Sequence, residues 1–135
     1  MYHNILVPIS FEEDRDSAGA LEIAQALAAD GAKITLFHVM EQVPAYAISY
    51  ITQEHRTESR RAIETELASM VADLPNGEGL VVEGHSGRTI LDWAEQKKTD
   101  CIVIASHRPG MQDLFLGSTA SQVVRHATCA VHVIR

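Results

Sequence analysis

The chain reads CIVIASHRPGMQDLFLGST from Cys101 to Thr119. An apolar run ends at Ser106, a loop holding one proline follows, and Gly117-Ser118-Thr119 opens a second pattern of helical spacing. A glycine without Cβ lets a ligand approach the backbone closely, and the first amides of a helix lack intrahelical acceptors, so such a turn attracts anions. It also suits a plain turn into the helix, with Ser118 as its cap and Gly117 supplying an unusual φ. The energy is modest: a helix end contributes about 0.3–1 kcal/mol to an exposed anion and about 2 kcal/mol when partly buried. Micromolar affinity needs about 8 kcal/mol. A nucleotide held here must therefore draw most of its binding from a buried base and a fixed ribose.

Other chemistry finds less support. The seven histidines show no H-x-x-x-H pair, and no G-x-S-x-G elbow or Cys-His grouping is readable. His3, His55 and His85 read as surface residues, His38 and His132 fall in strands, and His126 follows Arg125 at a helix end, where a partly positive ring suits the dipole. Cys101 and Cys129 lie in or beside apolar runs and form no C-x-x-C pair, so both read as buried thiols.

The elements that must position the loop follow from periodicity. NILVPI is apolar without alternation, as in a strand covered on both faces. Leu21, Ala24, Leu27 and Ala28 mark a helix that Asp30-Gly31 is expected to stop. KITLFHVM is a second strand, and the segment after it, with Pro44, a loop. Ile63, Leu67, Met70, Val71 and Leu74 form a helical stripe closed by Pro75-Asn76-Gly77, and the basic group RTESRR reads as that helix's solvated face. GLVVEGH, GRTILDWAEQKK and CIVIAS then give strand, helix and strand. Ala120, Val123, Val124 and Ala127 form a last helical face before the closing strand AVHVIR. The alternation predicts one α/β domain over residues 1–135, an open five-stranded parallel sheet with helices on both faces. Ligands in such sheets sit beyond the carboxyl ends of the strands, where strand order reverses. That limits the search to the loops PISFEED, HVMEQVPAYAIS and SHRPGMQDLFLGST.

A net charge of −7 argues against nucleic acid, which calls for clustered Lys and Arg. No apolar run approaches the 18–20 or so residues of a membrane span, and the start MYHNILVPIS lacks a signal pattern, so a cytoplasmic location is expected. At 135 residues the chain can bury roughly two thirds of its unfolded surface without staples.

NILVPIS with SAGALEIA, ITLFHVM, and ASHRP with LGS, VVRHA and a terminal V-I-R together resemble the universal stress protein family, over nearly the whole chain. The resemblance implies a Rossmann-like, adenine nucleotide alpha hydrolase-like fold. It implies ATP or AMP, with or without Mg²⁺, in a crevice lined by the loops after the first, second and fourth strands. Carried over by position, Ala105, Ser106, His107, Arg108, Gly117, Ser118 and Thr119 would line the phosphate and ribose side. Pro8, Ile9 and Ser10 would border the base, and Val39 would offer backbone groups to adenine. The chain departs from the family's glycine signature: Ala105 stands where the first glycine is expected, the second is lost among His107 and Arg108, and the spacing to Gly117 is one residue shorter. Ser10 replaces the aspartate usual after VPI, and a hydroxyl can bond a ribose but supplies no carboxylate to Mg²⁺. Arg108, a planar cation beside a helix start, suits a phosphate. The family also implies a homodimer through the last strand, whose Val131 and Val133 share one side; a monomer with that edge under loop 41–51 is the alternative. A nucleotide-free adaptor and a slow ATPase or self-phosphorylating protein, with Ser118, Thr119 or Ser10 as acceptor, are the competing functions.

Overall fold

The computed structural model describes residues 1–11, 17–42, 44, 46, 52–106 and 117–135. Strands and helices alternate: β1 (Tyr2–Pro8), α1 (Ser17–Leu27), β2 (Ala28–Met40), α2 (Gln53–Met70), β3 (Gly77–Glu83), α3 (Ser86–Gln96), β4 (Cys101–Ala105), α4 (Ser118–His126) and β5 (Ala130–Ile134). The strands pair in parallel in the order β3-β2-β1-β4-β5. Order therefore reverses between β1 and β4, which sets the crevice there.

The unbroken apolar runs follow from cover on both faces. Ile5 and Val7 of β1 join Cys101 and Val103 of β4 in a core closed by Ala20 and Ala24 of α1 and Leu67 of α2. Leu6, Ile102, Ile104 and Phe37 point the other way, against Ile90 and Ala94 of α3 and Ala120 and Val123 of α4. Each fully buried aliphatic or aromatic side chain contributes about 1.5–3 kcal/mol, so central strands alternate in direction while every position stays apolar. The far end of the sheet is tied by Asp100, whose carboxylate accepts from the His3 and Asn4 amides at 2.8 and 3.0 Å. Asn4 in turn donates through Nδ2 to the Lys97 carbonyl at 2.7 Å, closing the end of α3.

Several expectations are corrected. Helix α1 stops at Leu27 instead of Asp30-Gly31, because Ala28 pairs with Tyr2 and draws the chain into the ladder early. The next pair is Asn4 with Lys33, so the surplus residues of β2 form an irregularity, and Gly31 at φ +77° makes the left-handed turn within it. The RTESRR group is not simply solvated. Arg60 Nη2 donates to the Val81 carbonyl at 2.7 Å, and Arg56 Nη2 reaches Glu83 Oε1 at 3.0 Å and the Glu41 carbonyl at 3.4 Å. Two guanidinium groups thus fasten α2 across the carboxyl end of β3. Val124 is 44% exposed, since the stripe of α4 that faces the sheet passes through Ala120 and Val123. The thiols also differ: Cys101 is buried and Cys129 only half-buried.

Candidate functional site

A cleft of about 250 Å³ lies over the carboxyl ends of β1, β2 and β4. Its floor is apolar, with Phe37, Ile90, Ile104 and Ala120, so a flat ring could replace water there at little cost. Pro8, Ile9 and Ser10 form one wall and Val39 the next. Ala105 and Ser106 close β4, and Gly117 and Thr119 open α4 on the opposite side. Of the residues carried over from the family resemblance, these eight meet around one cavity. Ser118 is exposed and lies outside the lining. His107 and Arg108 lie outside the described residues, as does most of the loop after β2.

The walls are fixed by bonds that the strand ladder alone does not supply. The Ile9 amide donates to the Phe37 carbonyl at 2.8 Å, and His38 Nδ1 meets the Ile9 carbonyl at 2.7 Å. A carbonyl only accepts, so Nδ1 carries the proton. Phe11 sets its ring edge-on to His38 at 5.2 Å, and Ser17 Oγ, at the first residue of α1, donates to the Ser10 carbonyl at 3.2 Å. The segment after β1 is thereby stitched to both neighbours. Across the cleft, the Ser106 amide donates to the Ile134 carbonyl at 2.7 Å, and the Gly117 amide approaches Ser106 Oγ at 3.4 Å. Ser106 is 4% exposed, so one buried hydroxyl links the end of β4 to the start of α4. The N-cap of α4 is Gly117, which has no side chain to bond the first-turn amides.

His38, Glu41, Ser17 and Ser86 also line the cleft, and sequence reasoning did not single them out. Ser86 begins α3; its hydroxyl meets Thr119 Oγ1 at 2.8 Å and its amide donates to Glu41 Oε1 at 3.2 Å. Two helix starts therefore converge on the cavity, and Glu41 already serves one of them. The HVME stretch was the available signal, since a histidine and a glutamate flank Val39 at the end of β2.

The perturbed titrating groups lie elsewhere. Burial pushes the Cys101 thiol up to about 11, with Cys129 and Asp100 adding to the effect, and burial also raises Cys129. Cys101 starts β4, at the end of the sheet away from the cleft, and a thiol so shifted is a poor nucleophile at neutral pH. Among the described residues no group of three His, Cys, Asp or Glu side chains could hold a metal ion. Nor is any helix there long and apolar enough to cross a membrane.

The model of the universal stress protein family matches residues 1–135. The chain belongs to that family. Universal stress protein G of Salmonella typhimurium is 31% identical over 142 residues, with each chain covered in full. A universal stress protein of Thermus aquaticus is 30% identical over 139 residues, again with full coverage of both. The universal stress protein of Lactobacillus plantarum superposes with a TM-score of 0.73 at 28% identity, covering 99% of this chain and 98% of that one. More distant universal stress proteins share the fold. One from Archaeoglobus fulgidus in complex with dAMP has a TM-score of 0.68 at 18% identity, covering 99% and 98% of the two chains. One from Arabidopsis thaliana with AMP bound has a TM-score of 0.65 at 17% identity, covering 98% and 90%. The universal stress protein described here shares with them the Rossmann-like α/β architecture.

Proposed function

We propose that this universal stress protein binds an adenine nucleotide in the cleft and acts as a nucleotide-dependent regulatory module in the cytoplasm. The observation that carries the reading is the pairing, in one cavity, of an apolar floor with the uncapped start of α4. The base lies on Phe37 and Ile104 between Pro8-Ile9 and Val39, while Ser106, Gly117 and Thr119 face the phosphate. Relatives of the same fold crystallised with dAMP and AMP support the choice of ligand. The energies agree in kind: burying a base the size of an aromatic side chain is worth about 4 kcal/mol, against about 1–2 kcal/mol from the helix end. Ser10 offers the ribose a hydroxyl and gives Mg²⁺ no carboxylate, so any dependence on Mg²⁺ from this position is weak. The protein works as a homodimer through β5, whose outer edge has no strand partner among the described residues.

Thermal unfolding with adenosine, AMP and ATP tests the reading. At a ligand concentration of about 100 times Kd the fold gains about 2.7 kcal/mol, several degrees in Tm for a domain of this size. Ala105→Phe, which places a ring inside the cleft, abolishes the shift while the variant still unfolds cooperatively. A wild-type protein with no shift for any of the three ligands would sink the proposal and favour the adaptor.

A further inference from the structure

How many phosphates the cleft accepts is a separate question, and a carboxylate on its wall bears on it. Among the described lining residues Glu41 is the only carboxylate, and no Lys or Arg joins it. The carboxylate is held: Oε1 accepts from the Ser86 amide at 3.2 Å, in the first turn of α3. A negative charge is favoured at a helix N-terminus, so α3 is already served by the protein's own anion. The nearby cation does not cancel it. Arg56 Nη2 donates to the backbone carbonyl of Glu41 at 3.4 Å and gives its charge to Glu83 at 3.0 Å. Ser86 then joins Thr119 through their hydroxyls at 2.8 Å, so a single residue separates the carboxylate from the start of α4.

We infer that Glu41 limits the charge of the ligand, so that the cleft takes adenosine or an adenosine monophosphate in preference to the triphosphate. This rests on the nucleotide reading above and refines its site. A phosphate group drawn to α4 approaches a like charge held, though exposed, at the start of α3, and each further phosphate adds repulsion. Arg108 lies outside the described residues and is the same in wild type and Glu41→Gln, so the difference between the two proteins isolates the carboxylate. For separations on the order of 10 Å at an effective dielectric between protein surface and water, the two extra charges of ATP cost roughly tenfold in affinity relative to AMP. The glutamate also occupies a helix start that a longer phosphate chain would otherwise use. A divalent ion bridging Glu41 to the β- and γ-phosphates would reverse the order, and the experiment separates the two.

Titration calorimetry with adenosine, AMP and ATP, in chelator and again with Mg²⁺, is run on the wild type and on Glu41→Gln. Glutamine keeps an oxygen to accept from the Ser86 amide and removes only the charge. The expected result is AMP about tenfold tighter than ATP in the wild type, narrowing to within about threefold in the variant, with adenosine little changed. An equal AMP-to-ATP ratio in both proteins overturns the inference while leaving the nucleotide site intact. So does ATP with Mg²⁺ binding more tightly than AMP in the wild type and losing that advantage in the variant. Absence of binding by all three ligands overturns the nucleotide reading, and this inference with it. Should Glu41→Gln fail to fold, the wild-type order decides alone: ATP as tight as AMP refutes the limit.

Discussion

Gly79, in β3, packs directly against Leu67 of helix α2, and alanine there tests how that contact is made. A Cβ built on Gly79 would stand 2.7 Å from Leu67 Cβ and 3.2 Å from the Leu67 carbonyl carbon. Leu67 is fully buried, and neither atom is the free end of a flexible side chain, so the helix itself must move outward by close to an ångström. Overpacking of this kind costs about 1–3 kcal/mol, and the smaller unfolded-state entropy of alanine returns about 0.4–1 kcal/mol. The net loss is about 1–2 kcal/mol, or roughly 3–8 °C in Tm for a chain of this length. The displacement also draws Arg56 and Arg60 from the carbonyls of Glu41 and Val81, which keeps the loss at the upper part of that range. Urea denaturation followed by circular dichroism reads it as a lower midpoint at unchanged slope. A Gly79→Ala protein as stable as the wild type would refute the argument that the absence of Cβ sets the α2–β3 distance.

Cys101 gives a prediction in pH. Burial raises its thiol from the ordinary value of 9.0 to about 11, so the folded protein keeps the proton longer than the unfolded chain does. Stability from this group is complete below pH 9 and falls between 9 and 11, and the loss reaches about 2–3 kcal/mol. Denaturant midpoints of the wild type and Cys101→Ala across that window should converge as pH rises; parallel curves would contradict the burial argument. The β5 edge gives another. Lysines at Val131 and Val133 place charge on the strand proposed to pair with its copy, so Val131→Lys, Val133→Lys should sediment as a monomer where the wild type sediments as a dimer. An unchanged dimer mass would exclude the strand as the interface.

The sheet was legible because its central strands are apolar at every position along their buried stretch, which only cover on both faces explains. Ile5 to Val7 and Cys101 to Ile104 show this most plainly. The end of α1 was not legible, since Leu27, Ala28 and Ala29 are strong helix formers whose local preference would carry the helix on, and a ladder contact with distant Tyr2 overrides it. Val124 was misread for a related reason. The apolar positions 120, 123, 124 and 127 allow a wide helical stripe, but how much of it is covered depends on the width of the sheet beneath, which no local pattern carries.

The same division runs through the site. Topology alone sends the ends of β1, β2 and β4 to one cleft, so the three loops that follow those strands could be named from strand order, while Pro8 to Ser10, Val39, Ala105 and Ser106 were singled out only by the family resemblance. The polar wall needs partners remote in sequence. Glu41 meets Ser86 across 45 residues and Ser86 meets Thr119 across 33; Glu41 and Ser86 taken singly read as solvated polar residues, whereas Thr119 already belonged to the turn singled out for an anion. Their conjunction bears on which ligand property the cleft selects. On the nucleotide reading proposed above, with a carboxylate at one helix start and about 1–2 kcal/mol available from the other, a first phosphate is close to neutral in the balance and each further one is unfavourable. Discrimination then falls to the base and ribose, through the apolar floor and the backbone of Pro8 to Ser10 that His38 and Ser17 hold in place. On the function proposed above, a site so arranged would recognise the nucleoside and admit one phosphate, which suits the proposed module that reports nucleotide occupancy better than one that turns over a triphosphate.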